Sequence, residues 1–400
     1  MRLVYEPKFG VIPVHLISSV ILRIAARRIN RLTNLREKWS YGKIKTNIHA
    51  TEELVWPRNQ QILPKHPAPS NLLVPLPCRD IRSRGRAGRG TVPEGLKGVC
   101  VILVIGEILF DVFPSYRRIG GAPFNVAFHL KKLGCTVRFI SRVGRDEQGE
   151  EIGRFLSHHG FDTKDLQVDT DAPTGRVNVL PDHGGGHRFE ILENRAFDAI
   201  EYTPGLEELL ASSPELICFG TLAQRSPEGT SLMARVMDAK NEKTKAFCDL
   251  NLRENCYSQK TIGASLQWSD RIKLNREELF TLFPGTVESS ATTLVHSLMA
   301  DYRLETVILT SGANGSEWFS PHTSHQIRPS SHLSVMDTVG AGDAFAAMAV
   351  ACMTKKIPAA KAITLAHAFA SSICTIKGAL PASDDFYSDY RKTMEAYDGG

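Results

Sequence analysis

The chain is 400 residues long, 42% apolar and 23% charged, which is the composition of a folded protein with two domains or one large domain and an appendage. Low-complexity, collagen-like and mini-protein classes are excluded, and the longest nearly apolar run, residues 9–22, is too short to span a membrane. The net charge of +5 conceals two unlike parts, because residues 1–98 hold 18 Lys and Arg against 6 Asp and Glu while the remainder holds 30 against 37. An acidic body argues against nucleic acid as the partner of the folded part. It favours a small-molecule enzyme whose site supplies its own positive field.

Residues 1–98 lack a sustained period. A short apolar stretch leads to a basic segment at 23–45, six prolines between Pro57 and Pro77, and an Arg/Gly run from Arg82 to Gly90. Such chemistry suits a targeting segment, a tail for a nucleic-acid or membrane surface, or a stretch outside the functional protein such as an over-extended reading frame. The last is favoured. No methionine lies between Met1 and Met233, so a shorter start would use a non-standard codon near Val99 or Val101.

Order is expected to begin at Val99–Gly106, a β-branched run of the kind covered on both faces of a sheet. Apolar runs and helical patterns then alternate. Helices are predicted at 126–133, 149–158, 231–240, 341–354 and 359–376, and strands at 137–140, 215–219, 245–249, 271–274 and 306–310. This alternation predicts a mostly parallel sheet with helices on both faces. Residues 174–192, alternating around three glycines, predict a β-hairpin standing off that sheet. The eight cysteines form no C-x-x-C pair and are expected to be reduced, mostly buried side chains of a cytoplasmic protein.

The sharpest local pattern is Asp337-Thr-Val339-Gly340-Ala341-Gly342-Asp343 at the head of a helix. Glycines that turn N–H groups to one point, joined to a helix N-terminus, suit an anion. Asp343 there is a capping residue, or a base that takes the proton of an acceptor hydroxyl while the nest receives a phosphoryl group. Earlier in the chain, Gly120-Gly121-Ala122-Pro123 precedes a helix carrying Asn125, and Asp111 follows the first strand. These are turn residues of two loops, or a grip on sugar hydroxyls. G-x-G-x-x-G and the P-loop pattern are both absent.

Together with Asp249-Leu-Asn251-Leu-Arg253, Asn275-Arg-Glu-Glu278 and Thr310-Ser-Gly312-Ala-Asn-Gly315, these motifs occur in the order seen in the ribokinase-like (PfkB) carbohydrate kinases. The chain resembles them over about 99–385, and Gly106-Glu107 to Asp111 with the Gly-Gly-Ala-Pro opening resembles fructokinases most. The resemblance implies a three-layer Rossmann-like ribokinase fold, with a central mostly parallel sheet and a small β lid at 174–192, carried by a kinase domain at 99–390. It makes Asp343 the catalytic base, Gly340, Ala341 and Gly342 the anion hole, and Asp111, Gly121, Asn125 and Arg253 the substrate-binding residues. Arg253 has a surface ion pair as its alternative.

Asn275, Thr310, Gly312, Gly315 and Gly342 would face the nucleotide, and Glu278 would reach Mg²⁺ through water. Asp337 and the Val339 carbonyl would hold a monovalent cation, usually potassium. ATP, Mg²⁺ and K⁺ are the implied cofactors, a small sugar is the partner, and the lid would pair two copies in a homodimer. Fructose is the expected acceptor; 2-keto-3-deoxygluconate, ribose or a nucleoside are alternatives, as is a silent binding protein of the same fold. The connection from Asp111 to Gly120, which helps shape the sugar pocket, is shorter than in many fructokinases. Gln224 and Arg225, after the strand at 215–219, are further candidates for the cleft. His183 and His187 form no metal site on this reading, and His158-His159 end a helix.

Overall fold

A computed structural model describes residues 100–181, 187–285, 289–328 and 334–397; the expectations for residues 1–98 and for His183 lie outside these. Thirteen strands are described. They are β1 Val101–Ile105, β2 Leu109–Val112, β3 Arg117–Gly120, β4 Thr136–Gly144, β5 Leu166–Asp169, β6 Gly175–Pro181, β7 His187–Ile191, β8 Leu216–Gly220, β9 Lys245–Asp249, β10 Arg271–Asn275, β11 Thr306–Thr310, β12 Ser316–Ser320 and β13 Thr323–Ile327. The helices are α1 Ala122–Lys132, α2 Glu147–His158, α3 Pro204–Ala211, α4 Pro227–Ala239, α5 Gln259–Trp268, α6 Arg276–Leu282, α7 Ala291–Tyr302, α8 Ala341–Thr354, α9 Ala359–Ile373 and α10 Ser388–Glu395.

Nine strands form one sheet in the order β13-β12-β11-β10-β9-β8-β1-β4-β5. It is parallel from β5 to β11, and β12 and β13 add an antiparallel edge. Why the central strands are apolar throughout follows from their two-sided burial. In β1, Ile102 and Val104 belong to the core beneath α1, α2, α8 and α9, whereas Leu103 and Ile105 belong to the core beneath α3 to α7. Alternate side chains thus meet opposite helical layers, which gives the expected three-layer α/β fold. Helix α8 is buried over Ala344–Cys352, and its alanines let α1 and α9 pack close against it.

The lid is larger than the sequence reading allowed. In place of a lone hairpin there is a four-stranded sheet in the order β3-β2-β6-β7, in which β2 pairs antiparallel with β3 and parallel with β6. Most of its apolar face is spent on the body: Leu109, Val177 and Val179 pack with Phe197 and Leu222, while Phe189, opposite Val179, remains exposed. Of the seven described cysteines, all free, Cys218, Cys248 and Cys352 are buried, three are half-buried and Cys100 is exposed.

Candidate active site

The site forms at the C-terminal ends of the parallel strands, where loops lead from the sheet to the helix starts. At the head of α8, Gly340 sits at φ 79°, and a Cβ there would overlap Ala379. Only glycine meets both demands. Gly340 caps α8 without any side-chain hydrogen bond. Of the first-turn donors, the Ala341 N–H turns back to the Thr338 carbonyl at 3.3 Å, while those of Gly342 and Asp343 have no backbone partner among the described residues. Gly342 is a different case. It is exposed, its φ is not left-handed, and a Cβ there would stand 3.6 Å from Lys273 Nζ, an ordinary contact. The turn therefore requires glycine at 340 but not at 342, where an added Cβ would meet only Lys273 Nζ.

Asp343 lies in this first turn, and its Oδ2 accepts a hydrogen bond from Asn125 Nδ2 at 2.7 Å. Asn125 comes from α1, whose cap Gly121 has φ 112° and lies so close to the Glu107 carbonyl that a Cβ would stand 2.6 Å from it. The double glycine thus brings the start of α1 against the end of β1. Gly120 leaves room for the Asp111 carboxylate, which rises from β2 beside it.

Three carboxyl groups share this cleft. Burial pushes Glu107 up to about 7 and Asp111 and Asp343 each up to about 6, while Arg253 draws all three the other way. Arg253 therefore lies close enough for its charge to act on each of them. It follows Asn251, which is held at φ 40°, a left-handed conformation that Asn tolerates better than most residues. Two buried polar atoms here have no hydrogen-bond partner: Glu107 Oε2 and Asn125 Oδ1. Unsatisfied polar atoms are costly in a closed core, so their gathering around one cleft marks where a polar ligand would complete them.

Behind the nest, Lys273 Nζ donates to both oxygens of Asp249 at 2.8 Å across the β9–β10 pair. Burial lowers the Lys273 pKa, but the carboxylates of Asp249, Glu278 and Asp343 more than offset this, and it stands above its ordinary value. Asn275 and Glu278 form a reciprocal cap on α6: Asn275 Oδ1 accepts the Glu278 N–H at 2.8 Å, and Glu278 Oε2 accepts the Asn275 N–H at 2.7 Å. Glu278 Oε1 also accepts the Leu252 N–H at 2.8 Å. Its carboxylate thus ties two site loops together and keeps lone pairs for a water-borne ligand. Thr310 ends β11, followed by Gly312 at φ 53° and Gly315 at φ 100°. Asp337 Oδ1 accepts the Val339 N–H at 3.0 Å, and Oδ2 accepts the Gly378 N–H at 2.9 Å.

Two further sequence candidates have their polar groups engaged by neighbouring residues, although Arg225 shares a cavity with Arg253. Gln224 is buried and donates to the Gly220 carbonyl at 2.7 Å and to Ser265 Oγ at 3.1 Å. Arg225 is spent on Asp198 at 2.7 and 2.8 Å and on the Leu192 carbonyl at 2.7 Å, with its guanidinium over Phe197. Strand-end position alone did not reveal that their polar groups were already engaged. The structure also adds residues that received no role from sequence: Glu107, Arg118, and the Lys273–Asp249 pair. A lone Lys inside the apolar strand Arg271–Asn275 was a signal for the last, since a buried ammonium needs a partner. Among the described residues, no group of three or more His, Cys, Asp or Glu side chains is placed to hold a metal by itself.

A model of the pfkB family of carbohydrate kinases matches residues 115–385. The chain belongs to that family. A probable fructokinase-5 of Arabidopsis thaliana is 27% identical over 307 residues, covering 70% of this chain and 94% of its own. A 5-dehydro-2-deoxygluconokinase of Clostridium tetani is 28% identical over 276 residues, covering 61% and 78%. Among solved structures, a double-mutant fructokinase of Vibrio cholerae O395 in its fructose-, ADP- and potassium-bound form aligns with TM-score 0.60 at 22% identity, covering 72% of this chain and 98% of its own. The molecule is therefore a carbohydrate kinase with the fold of these enzymes.

Proposed function

We propose that this enzyme transfers the γ-phosphoryl group of ATP to a hydroxyl of fructose, with Asp343 as general base. The observation that carries the reading is the uncapped head of α8, where open N–H donors and the Asp343 carboxylate share one turn. Asp111, Gly121, Asn125 and Arg253 would hold the sugar. As its hydroxyl oxygen bonds to the γ-phosphorus, the bond to the leaving ADP oxygen breaks and the hydroxyl proton passes to Asp343. Gly342 and its neighbours would take the charge on the transferring group, so acceleration rests on positioning and electrostatics. The nucleotide would lie along Asn275, Thr310, Gly312 and Gly315. Mg²⁺ prefers phosphate and water ligands, which suits a site offering Glu278 through water; when bound it neutralises phosphate charge.

Residues 99–390 would form the catalytic unit and 1–98 would be dispensable for turnover, which a chain shortened to 96–400 tests directly. Free thiols at all seven described cysteines suit a reducing, cytoplasmic setting. The open lid edge β7, with Phe189 exposed, would pair two copies, and Phe189→Asp should then shift light scattering from dimer to monomer. The deciding experiment is ADP release measured with fructose, 2-keto-3-deoxygluconate, ribose and nucleosides. Fructose should give the highest kcat/KM. Preference for another acceptor would move the assignment within the kinase class, and nucleotide binding without turnover on any acceptor would support the silent binding protein.

A further inference from the structure

Asp337 closes the segment leading into α8 onto the segment following α9, through its bonds from Val339 and Gly378. On the outer side of its carboxylate lies Arg118, with Nη1 3.7 Å from Oδ2. Gly378, at φ 87°, has no Cβ where one would overlap that same nitrogen, so the guanidinium rests directly on the backbone. Ring faces also hold it. The guanidinium carbon is 4.6 Å from the Phe113 ring centroid and 5.9 Å from that of Tyr116, and the two rings stack at 4.4 Å. The β2–β3 register sets Arg118 opposite Asp111, so strand pairing and aromatic faces orient it before any ligand arrives.

Both Asp337 oxygens already accept backbone N–H groups, so a monovalent cation on Asp337 and the Val339 carbonyl would have to share the remaining lone pairs of this carboxylate with Arg118. There it would stand beside a fixed guanidinium, with Lys377 Nζ also held 5.0 Å from the Tyr116 ring. Like charges repel strongly in a half-buried place, and Arg118, whose charge also acts on the Asp111 carboxylate opposite it in the strand pair, already supplies a positive charge beside Asp337. The residues thus fit a cation that is already part of the chain.

We propose that Arg118 takes the place of the monovalent ion, so that this kinase folds and turns over without potassium. Arg118 acts as a positioning residue: it balances Asp337 and thereby steadies the segment that ends in the nest. Because it belongs to the lid, it delivers that charge only while β3 is in place.

The test compares potassium chloride with tetramethylammonium chloride at equal ionic strength, so that general screening cancels. Two readouts are taken on the full chain: melting temperature without substrates, and turnover with ATP and the best acceptor. Wild type should give the same melting temperature and the same turnover, within about twofold, in both salts. Arg118→Gln should melt several degrees higher in potassium and gain about tenfold or more in turnover there, because an ion that binds only the folded state stabilises it. Arg118→Lys, which keeps the charge, should stay indifferent, and it carries the comparison if the Gln variant does not fold. Wild type that is stabilised or activated by potassium would overturn the proposal, as would an Arg118→Gln variant that potassium does not rescue. The activity arm rests on the kinase reading above, whereas the melting arm does not. Absence of turnover on every acceptor would count against that reading and leave the melting comparison to decide this one.

Discussion

Gly340 and Gly342 stand two residues apart in one turn, yet their replacement by alanine should have opposite effects on stability. At 340 the added Cβ overlaps Ala379 and the left-handed φ penalises any L side chain, a combined cost of about 2 kcal/mol or more. At 342 the Cβ finds ordinary contact distance, and alanine in a helix is worth up to about 1 kcal/mol over glycine, less near the end. For a folded unit of this size that is a rise of a degree or two in Tm. The same methyl group, however, would stand 3.6 Å from Lys273 Nζ and should crowd a phosphoryl oxygen that approaches this turn. Losing one N–H donor to such an oxygen costs about 10² to 10³ in kcat. Gly342→Ala should therefore be as stable as wild type or slightly more so, and nearly inactive; Gly340→Ala should be both less stable and less active. Calorimetry and steady-state kinetics on the two variants check this. A Gly342→Ala enzyme with wild-type kcat would show that the transferring group does not approach this turn.

Asp343→Asn should lower kcat at least about 10²-fold while nucleotide titration changes little, since the backbone donors remain. In the wild type, kcat/KM should rise with pH through about 6 and level off above it, because on the proposed mechanism Asp343 must be unprotonated to accept the proton. Stability should run the other way. Glu107, Asp111 and Asp343 have raised folded pKa values, so their contribution is fully present in acid, below the ordinary carboxylate range, and is lost as pH rises through 6 to 7. Glu107→Gln should flatten that loss and melt higher than wild type at pH 8, by as much as about 3 kcal/mol in stability; equal pH profiles for the two proteins would refute the buried-charge cost. Lys273→Met should cost about 3 to 5 kcal/mol by stranding the Asp249 carboxylate, and adding Asp249→Leu should return most of it in denaturant melts.

Much of the body was legible because its strands are covered on both faces and its connections are local. The run at 99–106 could only be a central strand, and α8 spans the predicted 341–354 because a left-handed glycine opens it. The lid was not legible. Strands β2 and β3 have four residues each, too few to show a period, and the β2–β6 pairing joins segments more than sixty residues apart, which no window along the chain contains. At the candidate site, the glycines and acids were proposed from type and spacing. Arg118 and Glu107 were not, because their significance lies in what they face: Arg118 reaches a carboxylate over two hundred residues away, and Glu107 is an ordinary carboxylate until burial raises it.

The β2–β6 pairing also sets an order of assembly. Strands β4 and β5 and helix α2 all lie in the chain between the two partners, so the lid closes a loop that is short only once those elements have docked on β1. Non-local pairings of this kind form late, after loop entropy has been reduced by earlier structure. The lid should accordingly be the last part to gain amide protection during folding. In the native protein it should be among the first to open, exchanging its β2 and β6 amides through partial unfolding while the central sheet stays closed.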